Sequence, residues 1–161
     1  MQTKMTKLLE IKHPIMQGGM QWLGVPGLAA AVSNAGGLGT INASCYLDED
    51  EFRAALEETK KLTNKPFAVN ISLTPDAEVK EITLRNIQAA AEARVPVIET
   101  AGGPITALVP HIKAAKMIHI HKCTCLRHAK RAEKDGAHMV SVVGYEAAGH
   151  PGPAETGSMV L

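Results

Sequence analysis

The sequence predicts an α/β protein built on a parallel sheet. Two observations carry that reading. Short apolar runs rich in β-branched residues alternate strictly with longer helical patterns. The runs are also apolar on both faces, as strands covered on both sides are. Such alternation returns each strand beside the last through a right-handed crossover.

The first expected strand is Pro14–Gln17, followed by a Gly18-Gly19-Met20 loop and a helix over 26–35. Pro26 suits a first-turn position and Gly36-Gly37 a stop. Leu38–Ala43 reads as the second strand. Asp48 then reads as an N-cap, with Glu51 three residues on, for a helix ending near Leu62. Phe67–Ser72 is the third strand, with a helix over 76–93 behind it. Val95–Thr100 is the fourth, then Ala101-Gly102-Gly103 and a helix over 106–115. Met117–His121 is the fifth, with a helix from Leu126 to Lys134 that Gly136 ends. Ala137–Val143 is the sixth, and a loop from Gly144 to Pro153 follows.

An open dinucleotide-binding sheet would carry G-x-G-x-x-G in its first strand-to-helix loop. Gly18-Gly19-Met20-Gln21-Trp22-Leu23 does not fit, and the glycines of Ala35-Gly36-Gly37-Leu38-Gly39 precede a strand. The pattern favours a TIM-type (β/α)8 barrel, in which working residues gather on loops at the strand C-termini. A complete barrel takes about 250 residues. The 161 residues here accommodate about six β/α units, so the expectation is one incomplete barrel domain over residues 1–161.

Composition excludes several function classes. The chain is 45% hydrophobic and 20% charged with formal net charge +1, which offers no footprint for nucleic acid or an anionic membrane. No apolar run reaches the roughly 18–20 residues of a membrane span. The N-terminus shows no secretion signal, and three cysteines, Cys45, Cys123 and Cys125, make no disulfide framework. A cytoplasmic location is expected. Cys123 and Cys125 lack a second pair, and His119 and His121 lack a third ligand, so no metal is expected. Neither a Gly-x-Ser-x-Gly elbow nor a P-loop is present.

Polar and glycine residues collect at the expected strand ends: Gln17, Gly18, Gly19, Asn42, Asn70, Glu99, Thr100, His121, Lys122, Glu146, Gly149 and His150. Glycines there let a flat ligand approach the backbone. Asn70 can donate to and accept from a heteroaromatic edge. Lys122 can set positive charge beside a developing anion, and His150 titrates near neutrality and could move a proton. Each has a plainer reading: a tight turn, a satisfied amide, a solvated lysine, a loop histidine.

These residues resemble a known family. His13 to Ala43, with Pro14-Ile15-Met16-Gln17-Gly18-Gly19-Met20 and Ala30-Ala31-Val32-Ser33-Asn34-Ala35-Gly36-Gly37-Leu38-Gly39, looks like the opening of nitronate monooxygenases, formerly 2-nitropropane dioxygenases. The flavin-dependent enoyl-acyl-carrier-protein reductases share it. Lys65-Pro66-Phe67-Ala68-Val69-Asn70, His121-Lys122-Cys123-Thr124 and Gly144-Tyr145-Glu146-Ala147-Ala148-Gly149-His150-Pro151-Gly152 match as well. The last two lean toward the monooxygenases.

The resemblance implies a barrel holding FMN at its mouth. Gly18, Gly19 and Met20 would lie against the flavin, Asn70 and Lys122 would hydrogen-bond to it, and Ala148 and Gly149 would pass close to the ring. His150 matches the histidine that exchanges a proton with substrate. The implied reaction oxidises an alkyl nitronate, with dioxygen as the terminal oxidant, to a carbonyl compound and nitrite. The family's phosphate-gripping glycines follow strands seven and eight, which this sequence lacks. The exposed edges of such a sheet leave three expectations open: a partner chain, such as a second copy in a homo-oligomer, that covers them, a marginally stable product, or a fragment of a larger or decayed gene. The alternatives are a non-catalytic binding or assembly module, an enoyl-acyl-carrier-protein reductase-like enzyme, and a small β/α enzyme using Lys122 as a Schiff-base amine.

Overall fold

In the computed structural model, residues 2–73 and 80–149 are described. A short helix, α1 (Lys4–Leu9), opens the chain. Thr3 caps it reciprocally: the Thr6 N–H donates to the Thr3 hydroxyl at 3.1 Å and the Thr3 N–H donates to the Thr6 hydroxyl at 2.8 Å. The sequence pattern did not indicate this helix, because threonine stands where a capping box usually has Glu or Gln.

The elements then run α2 (Pro26–Asn34), β1 (Gly39–Asn42), a 3-10 turn at Ala43–Cys45, α3 (Glu49–Leu62), β2 (Phe67–Ser72), α4 (Glu81–Glu92), β3 (Val97–Ala101), α5 (Val109–Ala114), β4 (Ile118–Cys123), α6 (Leu126–Asp135) and β5 (Met139–Val142). Asp48 caps α3 as expected, its Oδ1 accepting from the Asp50 and Glu51 N–H groups at 2.8 and 3.2 Å. The expected start of the fourth helix near Asp76 lies outside the described residues.

The strands form one five-stranded sheet in the order β1-β2-β3-β4-β5, every pair parallel. Chain order without a reversal is the topology of a barrel wall; a doubly wound sheet has a switch point where the order turns back. The first expected strand, Pro14–Gln17, contracts to a single parallel bridge between Met16 and Leu38. Pro14 has no N–H to give, and the Ile15 N–H turns to the His13 carbonyl. The Gln17 side chain then continues the ladder in place of backbone. Its Nε2 donates to the Thr40 carbonyl at 2.9 Å, and its Oε1 accepts from the Thr40 N–H at 3.3 Å.

Strand alternation divides the sheet into two faces. The outer face presents Ile41, Phe67, Val69, Ile71 and Ile98 to the helices, where Phe52, Leu56, Ile87 and Ile112 meet them. The inner face carries Ala68, Val97 and Ile120, packed with Leu38 and with Leu9 and Ile11 of the α1 region. One register row runs across the inner face through Asn42, Asn70, Glu99, Ile120 and Met139. At the far edge, β5 leaves Val140 and Val142 40% and 45% exposed on the outer side. Among the described residues, no helix is long and apolar enough to cross a membrane.

Gly39 sets how closely α2 lies on the sheet, because a Cβ there would overlap the Ala29 carbonyl. Gly39→Ala should therefore cost about 3 kcal/mol through forced separation of helix and strand. Urea denaturation measures this; a loss within experimental error would show that the contact relaxes freely.

Candidate functional site

The strands β2, β3 and β4 end together, and their inward side chains form one hydrogen-bonded group. Glu99 lies at its centre, 1% exposed. The Asn70 Nδ2 donates to Glu99 Oε2 at 2.7 Å, and the Gly19 N–H donates to the same oxygen at 3.3 Å. The Lys122 ammonium stands 3.6 Å from Glu99 Oε1. A carboxylate taken from water this completely is tolerated only when paired and hydrogen-bonded, and here three elements supply its partners. Because a carboxylate only accepts, the contact also orients the Asn70 amide, leaving its Oδ1 to accept from a ligand.

A cavity of about 910 Å³ opens beside this group, bounded by Gly19, Asn70, Ser72, His121, Lys122 and Ala148 among others. That volume is in the range of small-molecule and cofactor sites, about 300–1,000 Å³. At Gly19 a Cβ would overlap the Asn70 carboxamide. Only glycine brings the loop backbone this near to the strand ends.

The sequence-expected residues distribute unevenly. Gly19, Asn70, Lys122 and Ala148 line the cavity. Gly18 is exposed beside it, and a Cβ there would sit 3.9 Å from the Lys122 Nζ. Met20 belongs to the next turn, its carbonyl accepting from the Leu23 and Gly24 N–H groups, and its side chain is exposed. Gly149 is exposed with φ near +87°, and a Cβ there would meet nothing within 4 Å among the described residues. His150 lies outside the described residues.

Glu99 is the residue that sequence reasoning passed over. It stood among the strand-end residues without a role, because an acid on an apolar strand carries no motif. Counting strand parity would have found it: Asn70 and Glu99 are register partners, so both face inward while Thr100 faces the helices.

On that outer side, Thr100 bridges two histidines. Its hydroxyl lies 2.7 Å from His119 Nε2 and 2.8 Å from His121 Nδ1. Burial foremost, then the His121 and His138 rings, hold His119 down to about 4. Burial likewise lowers His121. Cys123 packs with Ile105, Val109 and Ala132, and burial pushes its thiol up to about 11. All three cysteines carry free thiols.

Two outcomes follow. Glu99→Ala should lower stability by about 2–3 kcal/mol in chemical denaturation, since it strips partners from Asn70, Gly19 and Lys122; a neutral change would show that the group is incidental. His119 in the unfolded chain protonates near 6.5 but in the fold stays neutral to about 4. Its contribution is therefore complete above pH 6.5 and lost as pH falls toward 4, by up to about 3 kcal/mol. Denaturation of wild type and His119→Gln across that range should show the wild type losing more; parallel losses would contradict the buried neutral ring.

The chain spans about half the length of the relatives and solved structures it matches. A (3aS,4S,5R,7aS)-5-hydroxy-7a-methyl-1-oxo-octahydro-1H-indene-4-carboxyl-CoA dehydrogenase of Rhodococcus jostii is 37% identical over 97% of this chain and 42% of its own. FabK from Thermotoga maritima superposes with a TM-score of 0.90 at 38% identity, over 100% of this chain and 49% of that one. A nitroalkane oxidase from Streptomyces ansochromogenes superposes with a TM-score of 0.77 at 26% identity, over 93% and 51%. The likeness places the five parallel strands as part of a TIM-type barrel wall. The family model for nitronate monooxygenase matches residues 2–161, and the chain belongs to that family.

Proposed function

We propose that this chain forms the ring-binding rim of an FMN-dependent oxidoreductase whose substrates are alkyl nitronates, oxidised with dioxygen to a carbonyl compound and nitrite. The observation that carries the reading is the convergence of Gly19, Asn70 and Lys122 on one buried carboxylate beside a cavity of about 910 Å³. The residues present fit a flat, acceptor-rich group: backbone cleared of side chain at Gly19, an amide that can pair with a heteroaromatic edge, and a cation.

Gly18, Gly19, Asn70, Lys122, Ala148 and Gly149 would hold FMN, with Met20 at the margin. When bound, FMN supplies a two-electron acceptor that dioxygen reoxidises. Lys122 offsets negative charge that accumulates at the rim during the reaction. Asn70, oriented by Glu99, sets the register of the bound edge. His150 removes the proton from the carbon of a neutral nitroalkane; a preformed nitronate has no such proton to lose. A cytoplasmic setting suits the three free thiols. A second copy of the chain across β5 would cover Val140 and Val142.

A second reading is an oxidoreductase acting on an acyl-CoA thioester. It is favoured by the relative named for a carboxyl-CoA substrate, which is 37% identical, against 26% for the nitroalkane oxidase.

Purified protein mixed with FMN should retain a yellow flavin absorbance band after gel filtration. A colourless product that takes up no FMN would contradict both readings. With FMN bound, nitrite release from propyl-2-nitronate supports the first reading; turnover confined to acyl-CoA substrates supports the second. His150→Ala should slow neutral nitroalkanes at least about 100-fold while sparing nitronates. Equal losses on both would remove His150 from the proton-transfer role.

A further inference from the structure

The Thr100 hydroxyl has one proton and two histidine partners, so the protonation of one ring dictates that of the other. His119 is 1% exposed, and its Nδ1 has no hydrogen-bond partner among the described residues. His121 lines the cavity, its Nδ1 being the nitrogen turned to Thr100.

Three arrangements are conceivable. If His121 Nδ1–H donates to Thr100 and Thr100 donates to His119 Nε2, then His119 must carry its proton on Nδ1, as a buried N–H with no acceptor. If both rings donate to Thr100, the hydroxyl proton lacks an acceptor. If His119 Nε2–H donates to Thr100 and Thr100 donates to His121 Nδ1, only a lone pair on His119 Nδ1 goes unmet. Orphaned buried donors are the rarer defect. The Thr100 backbone carbonyl near the His121 ring pulls toward the first order, but that order leaves the buried N–H of His119 unmet.

We infer that His119 and Thr100 are positioning residues that hold His121 as the Nε2–H tautomer, a fixed neutral donor toward the cavity. A ligand oxygen with a free lone pair would accept from it: a carbonyl or phosphate oxygen of the cofactor, or an oxygen of a nitronate. The order of protons stands on the geometry alone; the donor's use by those ligands rests on the function proposed above.

Long-range nitrogen–proton correlation spectra of histidine-labelled protein near neutral pH read the tautomer directly. Wild type should show His121 protonated on Nε2 and bare on Nδ1. Thr100→Ser should preserve that pattern. Thr100→Val, which keeps the shape and removes the hydroxyl, should give a mixture in which the Nδ1–H form appears. A wild-type His121 protonated on Nδ1 would overturn the inference even if the valine variant fails to fold, as would an unchanged tautomer in a folded Thr100→Val.

The ligand is tested by saturating wild type with FMN and then with propyl-2-nitronate. A shift of the His121 Nε2–H resonance on the first addition assigns the donor to the cofactor, and on the second to the substrate. No shift on either overturns the assignment of a ligand. Flavin uptake is followed separately by absorbance. A protein that shows the tautomer but takes up no FMN contradicts the proposed function and leaves the proton order standing.

Discussion

A single buried carboxylate organises the working end of this sheet. Glu99 sits at the inner face of β3 with 1% exposure, and it draws in a loop amide from Gly19, a side-chain amide from β2 and an ammonium from β4. Each partner comes from a different stretch of chain, so the contacts exist only when the parallel register is correct. The demand of a buried charge for partners thus becomes a demand on topology. Below it Ala68 and Val97, with Ile120 beside it, keep the interior apolar, and α1 packs there through Leu9. The polar cluster at the strand C-termini and the apolar packing against α1 thereby lie toward opposite ends of the same strands.

Much of this was legible in the sequence because the relevant signals are local. Alternating apolar runs announce parallel strands, and Asp48 announces a helix start through its own side-chain oxygen. Asn70 and Lys122 were legible as strand-end polar residues with no core to fill. Other features depend on partners far along the chain. Glu99 acquires meaning only beside Asn70, 29 residues away. The shrinkage of Pro14–Gln17 to one bridge depends on a glutamine side chain standing in for backbone, which periodicity does not register. Helix α1 escaped because it is six residues long and capped by an unusual Thr3–Thr6 pair.

The two faces of β3 and β4 also separate two kinds of polar chemistry. Inward, Glu99 and Lys122 form a charged group partly open to solvent. Outward, Thr100, His119 and His121 form a neutral chain beneath the helices, where burial disfavours the charged imidazoles. The cavity touches both, through Lys122 and through His121. A ligand seated there would meet a cation from one face of a strand and a neutral ring from the other.

The account stands on the claim that Asn70 and Lys122, set by Glu99, receive FMN at this rim. A crystal structure of the protein with FMN bound tests it most directly. The account predicts the isoalloxazine over Gly19, with Asn70 Oδ1 and Lys122 Nζ in hydrogen-bonding distance of it and Glu99 still accepting from Asn70. Flavin density at any other place on the sheet, with those side chains unengaged, would contradict it.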